Sequence, residues 1–341
     1  MLDTLLGLPL LSAALLPVYS NYSTSLNLLF FYLTWSTLVL SHPPLRVEAF
    51  GTLAVRLLFY ILPSTLFLLF DTAVPSLAVA IKAQGQIALP GRSGSRGTSG
   101  RKGVLKVAGW SIFNILLGIA LQLGIDLLAT KVLRVKSALK IVTRLPLPWG
   151  LAKDIAKGFI LRGILQYYIH RYILHARRTR IAQWHRNWQL SIRAPYSFVA
   201  NYDHPIAWLL SRWLPIYLPA VLFRFHILTF QLLLALVSLE EALVYSGYSV
   251  LPSTIILSGM ARRADAHLMT GGQGNFAPWG LLDWVHGTTI GGDVAEDMRD
   301  ELEKHNVPER ANNALDNAND AVEDLGSRIK NRRNKGKGKK W

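Results

Sequence analysis

The sequence predicts an all-α, multi-pass membrane protein with a histidine-bearing cytosolic cap and a charged, partly disordered C-terminal tail. Hydrophobic residues make up 51% of the 341 residues, and the mean hydropathy is +0.26, which is high for a soluble protein. Long apolar runs alternate with short basic clusters, a pattern typical of membrane spans and their borders. The net charge of +16 therefore indicates anionic lipid as a partner, and no nucleic acid is expected.

Composition divides the chain into three parts. Residues 1–145 should contain N-terminal membrane helices and a flexible basic loop at 83–106, where glycine, serine and arginine show no periodicity. Residues 146–290 should form the histidine-bearing domain, and residues 291–341 the soluble tail. The first 20 residues are apolar but lack a basic start, so we expect a retained interfacial or membrane segment rather than a cleaved signal peptide.

In the N-terminal part, residues 26–40 and 53–70 each approach, with their flanks, the roughly 20 residues that a helix needs to cross a bilayer. They should form a hairpin that turns at His42-Pro43-Pro44. Residues 107–130 should form a further span. Residues 131–144 mix basic and apolar side chains, which predicts a helix lying in the membrane interface.

In the second part, residues 149–175 have a helical pattern that ends among histidines. Residues 209–223 and 226–239 are again apolar, but Pro215, Pro219 and Arg224 interrupt them. We therefore expect a broken or re-entrant pair of helices here.

Cysteine is absent, which excludes disulfides, thiolate ligands and a cysteine nucleophile. A metal would have to be bound through nitrogen or oxygen, and imidazole is a natural ligand for iron or zinc. Three segments carry candidate ligands: His170-Arg171-Tyr172-Ile173-Leu174-His175, His185-Arg186-Asn187-Trp188-Gln189-Leu190, and Ala264-Asp265-Ala266-His267-Leu268.

Further short motifs accompany these three segments. They are Ala194-Pro195-Tyr196-Ser197, Tyr202-Asp203-His204-Pro205, Glu240-Glu241, Ser246-Gly247-Tyr248, Asn275-Phe276, and Asp283-Trp284-Val285-His286-Gly287-Thr288. In order and spacing, the segments and motifs from His170 to Thr288 resemble the fatty acid hydroxylase and sterol desaturase superfamily. The hallmark of that superfamily is a cluster of two histidines followed by two clusters that each combine a single histidine with an adjacent pair.

The resemblance carries over only part of the ligand set. His170 and His175 match the first cluster, His185 matches the leading histidine of the second, and His267 is the survivor of the third. The other four hallmark positions hold residues that are not histidine: Gln189, Leu190, Ala264 and Leu268. In addition, Tyr245 stands where relatives often have one more histidine.

Other polar residues nearby are possible substitute ligands, namely His204, Asp265 and His286, and Asp203 lies beside them. Two histidines and one carboxylate are enough for a mononuclear iron site. If the iron is mononuclear, we expect His170, His185 and His267 to hold it. His170 and His175 are five residues apart, or roughly 140° on a regular helix. A bulge or a helix end is therefore needed to direct both inward.

Two functions remain open. The resemblance implies a membrane oxidoreductase of the endoplasmic reticulum, in which mononuclear or dinuclear non-haem iron and O2 hydroxylate or desaturate a lipid or other hydrophobic substrate. Electrons would come from cytochrome b5 and its reductase as separate chains. The alternative is a family member that has lost the oxygenase centre and acts as a lipid-binding or scaffold protein, because leucine and alanine cannot bind a metal.

Overall fold

The computed structural model describes residues 22–92, 99–176, 178–251 and 256–292, and the described residues up to 291 form one compact unit. The predictions for residues 1–20 and for the charged tail lie outside the described residues. In the described part, the structure is helical and contains no β-strand. Its α-helices are α1 (Tyr22–Ser41), α2 (Pro44–Arg56), α3 (Leu62–Ala73), α4 (Pro75–Ile81), α5 (Gly100–Leu127), α6 (Pro148–Ile169), α7 (Arg180–Asn187), α8 (Pro205–Trp208), α9 (Leu214–Leu222), α10 (Ile227–Val244), α11 (Ile256–Met269) and α12 (Leu281–Val285).

Within the described residues, four helical segments are long and apolar enough to cross a membrane: Pro44–Ala73, Gly100–Val132, Pro205–Leu222 and Ile227–Val244. The chain is thus a membrane protein, and the predicted all-α, multi-pass fold is confirmed. Two of the predicted breaks are present, whereas Pro215 and Pro219 lie within α9 and do not interrupt it. The chain leaves helical geometry at Pro43 between α1 and α2, and at Arg224, whose φ is +48°, between α9 and α10.

Several helices contain a π-helical turn, in which the backbone hydrogen bond spans five residues instead of four. These turns are Leu57–Ile61, Leu128–Val132, His170–Leu174 and Leu209–Trp213. Such turns often mark functional sites, because one extra residue changes which side chains face a given direction. Shorter 3-10 turns occupy Gly85–Ala88, Gln189–Ser191 and Val199–Asn201.

Two predictions for the N-terminal part were wrong in detail. The loop expected at 83–106 is shorter, because Gly85–Ala88 forms a 3-10 turn and α5 already begins at Gly100. The interfacial helix expected at 131–144 does not extend beyond Val132. The following segment is instead irregular and forms an isolated β-bridge, in which Lys140 donates its N–H to the carbonyl of Phe225 at 2.9 Å and accepts the N–H of Ile227 at 3.0 Å.

Buried ion pairs connect α10 to two neighbouring helices. Glu240 accepts two hydrogen bonds from Arg162 of α6, both at 2.7 Å. Glu241 pairs with Arg56 at the end of α2, also at 2.7 Å. Glu241 also accepts a hydrogen bond from Asn201 at 3.0 Å, which ties α10 to the loop before α8. The pairs fix the helices that carry and surround the histidines.

Candidate metal centre

Four histidines from three parts of the chain meet at one point. His170 and His175 flank the π-turn after α6, His185 lies in α7, and His267 lies near the end of α11. One ring nitrogen of each lies within 4.8 Å of the corresponding nitrogens of the other three. These distances allow one metal ion to contact all four imidazoles.

The π-turn explains how two histidines five residues apart face the same point. The N–H of His175 donates to the carbonyl of His170 at 3.0 Å, which is the hydrogen bond of a π-turn. The two rings therefore lie side by side, with centroids 5.1 Å apart. The sequence expectation that a bulge or helix end directs both inward is confirmed.

Three of the four rings are oriented by a hydrogen bond on the side away from the centre. Nδ1 of His170 lies 3.0 Å from the carbonyl of Phe276, and Nδ1 of His267 lies 2.6 Å from that of Gly274. Nδ1 of His185 lies 2.6 Å from a carboxylate oxygen of Asp203. Because these oxygens accept, each Nδ1 must carry the proton, and each Nε2 is left with a free lone pair.

The Nε2 atoms have the environment expected of metal ligands. Those of His175 and His267 are buried and have no hydrogen-bond partner among the described residues. Nε2 of His170 faces Nε2 of His185 at 3.3 Å, close enough for one cation to contact both nitrogens. A cation between the rings satisfies all four nitrogens, so the donor set fits a metal.

Burial also keeps the imidazoles in the neutral form that binds metal. Removal from water lowers the pKa of His175 to about 2 and that of His267 to about 4, and it lowers the pKa of His170 well below its usual value. Neighbouring histidines add to the effect on His170 and His175, because two imidazolium ions would repel each other. His170, His175 and His267 are therefore uncharged at neutral pH and need no deprotonation before they bind a cation.

The four-histidine cluster lies in a stretch of the chain that matches a known protein family. The fatty acid hydroxylase family model matches residues 155–288, a stretch that contains all four histidines. Residues 155–288 form a fatty acid hydroxylase domain. This assignment agrees with the fatty acid hydroxylase and sterol desaturase superfamily that the sequence motifs predict. No solved structure matches the chain at a significant level.

The last motif of the hydroxylase domain holds the loop that orients His170. The carboxylate of Asp283 accepts the N–H of Phe276 at 2.8 Å and that of Ala277 at 2.9 Å. It also accepts the hydroxyl of Thr288 at 2.8 Å. The carbonyl of Phe276 is thereby fixed as the acceptor for the His170 ring. Desolvation raises the pKa of Asp283, and these hydrogen bonds oppose the rise.

The structure does not bring the three possible substitute ligands into the cluster. The ring of His204 stacks on Trp184 with centroids 4.2 Å apart, and His286 is exposed, with its ring 5.0 Å from that of Tyr167. Asp265 accepts a hydrogen bond from Gln84 at 3.2 Å, and burial raises its pKa to about 6. Asp203 contributes, but as the partner of His185 rather than as a direct ligand.

The positions that lack the family histidines fall into two groups. Leu190 and Leu268 pack in an apolar cluster behind the centre, while Gln189 is buried outside the group of four. Ala264 and Tyr245 instead line a cavity that borders His170 and His267. The cavity measures about 30 Å³, enough for about two water-sized groups. The described residues therefore provide one four-histidine centre and a polar cavity beside it.

Sequence reasoning missed one residue of this cavity, Arg212. Its guanidinium lines the cavity and donates to the hydroxyl of Tyr245 at 2.6 Å. The signal was present in the sequence, because Arg212 is a charge inside an apolar run long enough to span a membrane, and such charges are usually functional. The carbonyl acceptors at Gly274 and Phe276 carry no comparable signal, since every residue has a carbonyl.

Proposed function

We propose that this protein is an iron-dependent oxidoreductase of the endoplasmic reticulum membrane that hydroxylates or desaturates a lipid or other hydrophobic substrate. The metal would be held by His170, His175, His185 and His267. The observation that carries the proposal is the convergence of these four imidazoles, with two buried Nε2 atoms that have no other partner. Bound iron would supply the activation of dioxygen.

The residues around the centre would perform three tasks. Phe276, Gly274 and Asp203 orient the histidine rings through the Nδ1 hydrogen bonds. Burial of His185 and His267, and of the Nε2 atom of His175, keeps bulk water from these ring nitrogens, which suits chemistry in which reactive species must not meet solvent. Because the cavity borders the rings of His170 and His267, the substrate would approach the centre from that side.

An apolar groove offers a route for such a substrate. The groove measures about 210 Å³ and is lined by Ile160, Gly163, Ile164, Ala277, Trp279, Leu281 and Leu282. Ala277 also lines the cavity beside the histidines, so the groove and the cavity adjoin at this residue. The apolar lining favours a hydrocarbon chain.

The chain would receive electrons from other proteins. In the family that it resembles, cytochrome b5 and its reductase supply them, and we propose the same source here. Product formation should then depend on NAD(P)H and on both proteins added to the purified chain in lipid.

Metal analysis of the purified protein tests the proposal. We expect about one iron per chain, lost in a double variant His170→Ala, His267→Ala. The matched control is His42→Ala, His286→Ala, which removes two exposed histidines outside the cluster and should keep the iron. Two iron equivalents would show a dinuclear centre instead.

The same measurement tests the alternative, a scaffold protein without an oxygenase centre. Leu190 and Leu268 favour it, because they fill family ligand positions with apolar packing. Less than about a tenth of an iron equivalent, unchanged in the double variant after anaerobic loading with Fe²⁺, would support the scaffold and contradict the oxidoreductase. One zinc ion that iron does not replace would also contradict it.

A further inference from the structure

Within the part of the chain that the structure describes, Arg212 is a buried cation without an ionic partner. It lies in the π-turn Leu209–Trp213, within a segment able to span the membrane, and 6% of its surface is exposed. Among the described residues, no carboxylate oxygen lies within the 4.0 Å of an ion pair. Among the described residues, its guanidinium donates a hydrogen bond to the hydroxyl of Tyr245. A buried charge in this state is costly unless something else compensates it.

The carboxylates that act most strongly on Arg212 are already paired. The charges of Glu240 and Glu241 act on Arg212, but each of these carboxylates forms its ion pair with another arginine, Arg162 and Arg56 respectively, at 2.7 Å. Of the three arginines around these two glutamates, Arg212 is the one that has no ion pair of its own among the described residues.

The cavity beside the four-histidine centre is where a compensating anion would fit. Arg212, Tyr245, His170 and His267 all line it, and its volume of about 30 Å³ holds about two water-sized groups, the size of a carboxylate head. Because the hydroxyl oxygen of Tyr245 accepts from Arg212, its own proton is free to donate to a ligand. A guanidinium and a hydroxyl together form a charge-assisted donor pair for an oxyanion.

We propose that Arg212 and Tyr245 form an anion site that takes a small carboxylate-type oxyanion next to the four-histidine centre. Tyr245 and Ala264, which stand where the superfamily would have further histidines, both line this cavity. In place of ligands for a second metal ion, the chain therefore presents the fixed positive charge of Arg212. The π-turn that carries Arg212 and the π-turn that follows α6 direct side chains to the same cavity.

The anion site rests on the proposed function, because it would place a carboxylate beside the four-histidine centre. The binding test nevertheless requires neither bound iron nor catalytic activity. Binding can be measured on metal-free protein, because Arg212 and Tyr245 belong to the chain itself. Failure of the oxidoreductase proposal would appear as absent iron. Failure of the anion site would appear as absent carboxylate binding, whatever the iron content.

The experiment uses the full chain in detergent with a metal chelator, and formate as the probe. Formate should raise the melting temperature in a saturable way relative to chloride at equal ionic strength, because it binds only the folded state. Equilibrium binding of isotope-labelled formate should be weakened about tenfold or more in Arg212→Met. Tyr245→Phe should weaken it less, and Arg212→Lys should retain part of it. Arg144→Met, which removes an exposed cation, should bind formate like the wild type.

A second readout separates a binding role from a structural one. Without added anion, Arg212→Met should melt at the same temperature as the wild type or higher, because it removes an uncompensated buried charge. The proposal is overturned if folded Arg212→Met binds formate as the wild type does, or if the folded wild type shows no binding. A marked drop in melting temperature in Arg212→Met, without loss of formate binding in Arg212→Lys and Tyr245→Phe, also contradicts it.

A chain-length series identifies the source of the carboxylate. Formate, butyrate and octanoate are compared below their micelle-forming concentrations. Affinity that rises with chain length assigns the site to the head of a hydrophobic acid whose tail follows the groove at Ala277. Affinity that is greatest for formate assigns it to a free small anion.

Discussion

Gly272→Ala should disrupt metal binding through a single misplaced ring. Gly272 has φ +85°, and a Cβ at this position would overlap Cε1 of His175 while lying 3.0 Å from both Nδ1 of that ring and Cδ1 of Leu190. The ring cannot turn aside freely, because Leu190 occupies the space next to it. We expect His175 to move by about 1 Å, an amount that is enough to spoil a designed site.

The magnitude follows from the proposed role of His175 as one of four metal ligands. Loss of an outer hydrogen bond to a ligand typically lowers metal affinity 10–100-fold, and displacement of the ligand itself should cost at least about 100-fold, or about 2.8 kcal/mol. Alanine at a positive φ adds about 1–2 kcal/mol of backbone strain. Gly271→Ala provides the control, because Gly271 has φ +67° but a Cβ there would meet nothing within 4 Å.

The assay is a Co²⁺ titration of metal-free protein in competition with a chelator, together with the melting temperature of each variant. Both variants should melt at similarly reduced temperatures, because they share the backbone strain. Only Gly272→Ala should lose metal affinity. Equal affinities in the two variants would refute the reasoning that His175 is a ligand held in place by this close approach.

Two further predictions concern the same centre. Asp203→Asn should lower metal affinity about 10–100-fold, because it removes the charge that accepts from His185. The control Asp154→Asn, at a partly exposed carboxylate that pairs with Lys157, should leave the affinity unchanged in the same titration; equal affinities in the two variants would exclude Asp203 as the orienting group. The metal-free protein should lose stability as the pH falls from about 6.5, the usual histidine pKa, towards the folded-state pKa values of about 4 for His267 and about 2 for His175, because the unfolded chain then binds more protons than the folded one. Melting temperatures from pH 7.5 to 5 measure this loss, and a flat profile would contradict the lowered pKa values.

Much of the fold could be predicted from the apolar runs, because a membrane span requires about 20 apolar residues. Proline was a weaker guide, since Pro43 separates α1 from α2 but Pro219 lies within α9. The helix expected at 131–144 was wrong, since its amphipathic composition suits an interface but Lys140 instead pairs its backbone with Phe225 and Ile227. Composition does not reveal such tertiary pairing.

The candidate site was predictable where side chains carry it and not where the backbone does. The four histidines follow from the family pattern, and the need for a bulge follows from the five-residue spacing of His170 and His175. Two other features depend on how α9, α10 and α11 pack against one another. They are the carbonyls that fix the histidine rings and the cavity that Arg212 and His267 both line. Sequence spacing alone does not give that arrangement.

Glu240 and Glu241 have a consequence for the position of the metal centre. Neighbouring residues on a helix point about 100° apart, so the two ion pairs hold α10 against α6 on one side and α2 on the other. Arg162 lies eight residues before His170, or about 12 Å along α6. The position of His170 is therefore tied to a salt bridge about two turns earlier in α6, and a change at Glu240 should move a proposed metal ligand that it never touches.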